Sequence, residues 1–95
     1  MRIGELVWDD WNIEHIAEHG VVPEEVEEVC ASRRRLVLRI GLSRRGLKRY
    51  QVFGPTDDGR LLTVILDWTQ AGQFYVVTAR DMSGQEKSSY RKRRK

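Results

Sequence analysis

The run Leu61-Leu62-Thr63-Val64-Ile65-Leu66-Asp67-Trp68 is the most apolar stretch of the chain. It is short and bounded by turn signals, so it reads as a central strand. Before it stands Pro55-Thr56-Asp57-Asp58-Gly59, in which Pro, Asp and Gly each suit a turn position. Tyr50, Val52 and Phe53 mark the strand before that turn. Gly41 to Gly46 is a turn rich in Gly, Ser and Arg, and Leu36, Val37, Leu38 and Ile40 form the strand preceding it. On the other side Gln70-Ala71-Gly72-Gln73 turns, and Phe74 to Ala79 returns. Three short hairpin-like connections predict an antiparallel sheet.

Further out the hydrophobic period changes. Asp9 or Asp10 offers an N-cap, Ile13, Ile16 and Ala17 follow at helical spacing, and Gly20 stops a first helix of about 10–19. Pro23 opens a second helix of about 23–31, since its missing N–H costs nothing in the first turn. Val22, Val26, Val29 and Cys30 share one face of it, which makes Cys30 a core residue, and the glutamates lie off that stripe. Residues 2–8 read as a short first strand, and Trp8 and Trp11 as anchors of the first helix to the sheet. Ser83-Gly84-Gln85-Glu86 matches a capping box for a final helix of about 84–93, with Tyr90 its one large ring.

The order is β-α-α-β-β-β-β-α, an α+β domain. Two N-terminal helices should cover one face of a four- to five-stranded, mainly antiparallel sheet. A basic C-terminal helix follows, and the other face is left for water or a ligand. One domain over residues 1–90 and a basic tail over 91–95 account for the chain.

Ninety-five residues suffice for one modest core and exclude large barrels and full dinucleotide-binding folds. No run approaches the length of a membrane span, and Met1 to Glu5 lacks the apolar stretch of a secretory signal. One cysteine cannot form an intrachain disulfide, so a reducing cytoplasm is expected. The net charge of +3 hides a segregation. Residues 1–31 carry nine acids and one base, whereas residues 32–95 carry 16 bases and five acids. A basic two-thirds suits a polyanion, and an acidic third suits a basic protein or simple solvation.

Arg35, Arg39, Arg44, Arg45, Lys48 and Arg49 sit on or beside the first hairpin, and Arg91 and Lys92 near the end. Arginine forks suit phosphates, which makes these the candidate nucleic-acid contacts; charges that protect a sheet edge are the alternative. Arg60 and Arg80 flank the last hairpin. A hinge around Thr69 to Gly72 would put them nearly opposite, where they could clamp one phosphate. Alternatively each pairs with an acid: Asp57, Asp58 or Asp81 for Arg60, and Asp81 or Glu86 for Arg80. His15 and His19 have a spacing that can ligate a metal, but no third ligand cluster appears, so no metal or cofactor is expected. His19 is an acid–base candidate. Tyr90 either stacks on a base, supplies a phenol or docks the last helix.

The chain resembles the BrnT-type toxins of bacterial type II toxin–antitoxin systems. The resemblance rests on Trp8-Asp9-Asp10, His19-Gly20-Val21, Glu24-Glu25-Val26-Glu27-Glu28-Val29, Gly59-Arg60-Leu61-Leu62, Val77-Thr78-Ala79-Arg80 and the basic last helix with Tyr90. These motifs span residues 8–91 in the family's order. The resemblance implies a RelE-like fold and an endoribonuclease that blocks translation. It also implies a BrnA-like ribbon-helix-helix antitoxin as partner, in a toxin–antitoxin heterotetramer. Arg60 and Arg80 match the family's strand arginines. Many members carry a second Arg after the Ala-Arg step, where this chain has Asp81. RNA cleavage would then proceed by attack of the 2′-hydroxyl on the adjacent phosphorus, with Arg60, Arg80, His19 and Tyr90 as candidate catalytic groups. A non-catalytic nucleic-acid-binding or protein-interaction module of the same fold is the alternative.

Overall fold

In the computed structural model, which describes residues 1–93, the apolar run becomes a strand in the middle of a five-stranded sheet. Arg94 and Lys95, the end of the expected tail, lie outside the described residues. The elements are β1 (Glu5–Val7), α1 (Asp10–Ala17), α2 (Pro23–Ala31), β2 (Leu36–Leu42), β3 (Lys48–Pro55), β4 (Leu61–Gln70), β5 (Gln73–Asp81) and α3 (Gly84–Arg93). The α+β class and the expected element order therefore hold. The sheet order is β1-β5-β4-β3-β2. Only β1 runs parallel to its neighbour; β2 to β5 form an antiparallel meander.

Alternation along β4 divides the molecule. Leu62, Val64 and Leu66 point to the first face, where they are fully buried with Val52, Val76 and Ala79. Against them pack Ile16 of α1 and Val26, Val29 and Cys30 of α2. Transfer of this apolar area out of water is the main stabilising contribution. The second face carries a smaller cluster of Phe53, Met82 and Tyr90, bordered by Leu36, Leu38 and Leu61. Thus α3 covers part of the second face, and its basic residues Arg91 to Arg93 form its last turn.

Local chemistry explains the helix ends. Asp9 caps α1 by accepting the Asn12 N–H, and the Asn12 side chain accepts the Asp9 N–H in return. The helix ends at Ala17, two residues before the expected stop. The chain then closes a turn through Gly20, whose φ of 71° suits glycine. Pro23 begins α2 as expected. The capping box of α3 is formed: Glu86 N–H donates to Ser83 Oγ, and Ser83 N–H donates to Glu86 Oε1.

Two expectations about α1 need correction. Trp11 does not anchor the helix; it is 63% exposed, while Trp8 alone packs on the core. Ile13 is also exposed. The helix is held instead by Asn12. Its buried amide donates to the carbonyls of Val7 and Val76 at the edge of β5, just beyond the end of β1. This places one side of α1 along that edge.

Candidate functional site

The last hairpin does not hinge as expected. Its turn is the pair Ala71-Gly72, with Gln70 opposite Gln73. A bulge leaves Val77 without a partner between the Leu66–Val76 and Ile65–Thr78 pairs. Arg80 therefore faces Thr63, and Asp81 faces Leu62. Arg60, one residue before β4, reaches toward the first face. Its Nε donates to Asp81 at 2.8 Å, and its Nη1 to both Glu25 oxygens at 3.1 Å and to the Gly20 carbonyl at 2.9 Å. Arg80 points to the second face and grips Glu86 of α3 with two bonds of 2.7 and 2.9 Å. The two arginines are thus on opposite faces and clamp no common phosphate. Each takes an acid that the sequence offers, Asp81 for Arg60 and Glu86 for Arg80.

These pairs shape the electrostatics. The hydrogen bond that Arg60 donates to Asp81 raises the Arg60 pKa and in turn holds the Asp81 carboxyl below its ordinary range. Arg80 is raised by its hydrogen bond to Glu86. Glu86 falls from 4.5 to about 2, first because Arg80 donates to it, then because the Ser83 N–H and the Thr63 hydroxyl do so as well.

The imidazole that reaches the sheet is that of His15. Its Nε2 lies 3.1 Å from Thr78 Oγ1, two residues before Arg80 on the same strand. Trp11 stacks on its other side at 5.2 Å, and its Nδ1 is 3.8 Å from Glu18. His19 lies in the turn after α1 and meets His15 edge-on at 5.5 Å. In the sequence His15 stands out only as half of a metal-spaced pair with His19. Its signal was the spacing of Trp11, His15 and His19, which puts three rings on one helix stripe. No group of three or more His, Cys, Asp or Glu among the described residues could hold a metal ion.

Tyr90 leaves the candidate catalytic set. It is 3% exposed, and its hydroxyl donates to the Arg34 carbonyl at 2.7 Å, so it docks α3. Cys30 is core: burial pushes its thiol up to about 12, which leaves no thiolate nucleophile near neutral pH.

The basic residues divide into three groups. Arg44 and Arg45 in the β2–β3 turn, and Arg91 and Lys92 on α3, are exposed. Arg39 lies over the Tyr50 ring at 5.9 Å, and Lys48 over the Trp68 ring at 5.6 Å. Arg35 and Arg49 are tied down, Arg35 to the carbonyls of Ser32 and Met1, and Arg49 to both oxygens of Asp67.

Register sets three cross-strand rows on the second face: Arg49–Asp67–Tyr75, Gln51–Ile65–Thr78 and Phe53–Thr63–Arg80. Arg80 and Thr78 thus lie side by side on the second face, and the α1 imidazole of His15 meets the Thr78 hydroxyl there. No helix among the described residues is long and apolar enough to cross a membrane. No family model matches the chain, and no curated protein matches it either.

Proposed function

We propose that this chain is an RNA-cleaving toxin of the BrnT type, working on the second face of its sheet. The observation that carries the reading is that the His15 imidazole of α1 meets Thr78, the same-face neighbour of Arg80 on β5. Thr78 and Arg80 are two residues apart on that strand, a spacing of about 7 Å at the backbone. That distance suits one ribose and the phosphate beside it.

In this reading the 2′-hydroxyl attacks the adjacent phosphorus, and the bond from phosphorus to the 5′-oxygen breaks. The hydroxyl proton leaves to His15, the departing 5′-oxygen takes a proton from water, and His15 then returns its proton to the solvent. The products are a 2′,3′-cyclic phosphate and a 5′-hydroxyl. Arg80 donates to the non-bridging oxygens as their charge grows, and Glu86 keeps its fork oriented beforehand. Arg60 is a positioning residue, because it ties the turn after α1 to β5. Arg44, Arg45, Arg91 and Lys92 supply phosphate contacts outside the site. A BrnA-like antitoxin would neutralise the protein by covering the same face, as one half of a heterotetramer.

The test is a defined single-stranded RNA in excess EDTA, and the same RNA with translating ribosomes. The parent chain is expected to cut in at least one setting. Arg80→Ala and His15→Ala should each lower the rate about 10²–10³-fold, with little change in RNA affinity. Absence of cleavage in both settings would overturn the reading, as would full activity in Arg80→Ala.

A further inference from the structure

The first face has a corner beside the β2–β3 and β4–β5 turns. There the start of β3 and the end of β4 present Tyr50 and Trp68, both half-buried and packed against the core. Tyr50 meets buried Phe74 edge-on at 5.9 Å. Arg39 lies opposite Tyr50 across β2–β3, and Lys48 extends over Trp68 from the neighbouring row. The result is a small square of two rings and two cations.

This corner differs from the arginine sites that hold a carboxylate. Arg49, Arg60 and Arg80 each hold a carboxylate. Among the described ion pairs, none involves Arg39 or Lys48. Arg39 Nε donates to the Gly41 carbonyl at 3.1 Å, and otherwise the two cations face only rings, which attract a cation weakly at exposed sites. Such a cation can exchange its ring for a phosphate and stay close to it. The ring it uncovers then accepts a planar partner of about its own size. A planar group carrying a phosphate one sugar away is a nucleotide. The Ser43–Leu47 turn with Arg44 and Arg45 adjoins Lys48, so a strand stacked here can continue over the hairpin tip toward the second face.

We infer that Tyr50 and Trp68, with Arg39 and Lys48, form a base-stacking platform for single-stranded RNA, on the sheet face opposite Arg80. For its ligand class the inference rests on the function proposed above. Stacking tolerates any base, so the platform adds affinity and fixes the direction of the strand without choosing a sequence. It holds the RNA while the opposite face acts on it.

The experiment compares a uridine 12-mer with an abasic ribose-phosphate 12-mer, using the intact chain and reading both affinity and tryptophan emission. The uridine strand should bind roughly 5- to 150-fold more tightly, the range expected for a stacked base, and should quench emission. Trp68→Leu should abolish the quench and most of the preference, and Trp68→Phe should restore the preference. Equal affinity for the two strands overturns the platform, even if Trp68→Leu fails to fold. Cleavage by the parent with equal affinities would sink the platform and leave the nuclease standing. Preference and quench without cleavage, with or without ribosomes, would do the reverse.

Discussion

The side-chain amide of Asn12 makes three hydrogen bonds in a place closed to water: one accepted from Asp9 N–H and two donated to Val7 and Val76 carbonyls. Each buried polar group left unpaired costs about 1–3 kcal/mol. Asn12→Ala should therefore lower stability by at least about 2 kcal/mol, read as a shift in denaturant midpoint at unchanged slope. An unchanged midpoint would mean that α1 is not pinned to β5 in solution. At this scale the sequence was only partly legible. Asp9 to Asn12 has the spacing of a capping box, but burial of Asn12 depends on β1 stopping at Val7, where a β5 carbonyl is left open. The same is true of His15. Its spacing from His19 was plain, whereas its approach to Thr78 depends on where α1 lies along the edge.

The third helix has no apolar stripe, so its place on the sheet must come from a few contacts. Tyr90 fills one end, and at the other Glu86 accepts from Ser83, Thr63 and Arg80. The Glu86 carboxyl is depressed from 4.5 to about 2 in the fold. A depressed acid stabilises above its unfolded value, and the contribution is lost as pH falls through the folded one. Docking of α3 should hold at neutral pH, weaken below about 4.5 and be gone near 2. A carboxyl titration by NMR checks this, with the Tyr90 ring signals as a second readout. A midpoint near 4.5 would show the contacts to be absent. Glu86→Gln should remove this pH dependence and loosen α3 at neutral pH. The elements themselves were readable because the period changes from helix to strand at Arg33 and because Pro, Gly and Asp punctuate the hairpins. The faces of β5 were not readable. Its bulge at Val77 carries no glycine or proline to announce it, and one extra residue reverses the alternation beyond it. That reversal, with the tight Ala71-Gly72 turn, separates Arg60 from Arg80.

Charge is segregated in the folded molecule as it is along the chain. The acidic residues of α1 and α2 flank one side, and exposed bases crowd the β2–β3 turn and the end of α3. Binding of single-stranded RNA should thus depend on salt. Six phosphate contacts give a log–log slope of roughly −4. Arg44→Ala with Arg45→Ala should reduce the slope by about 1.4 without altering thermal stability. A flat salt dependence in the parent would argue against any polyanion partner. The parallel pairing of β1 with β5 has a different kind of consequence. Glu5 meets Gln73 and Leu6 meets Phe74, partners 68 residues apart. At about 5–20 residues per second, a ribosome needs roughly 3–14 s to add that length. Throughout that interval the first strand waits, α1 lacks the carbonyl that Asn12 will hold, and His15 has no Thr78 to approach. The surface proposed above to cut RNA is therefore incomplete until the last strand has emerged.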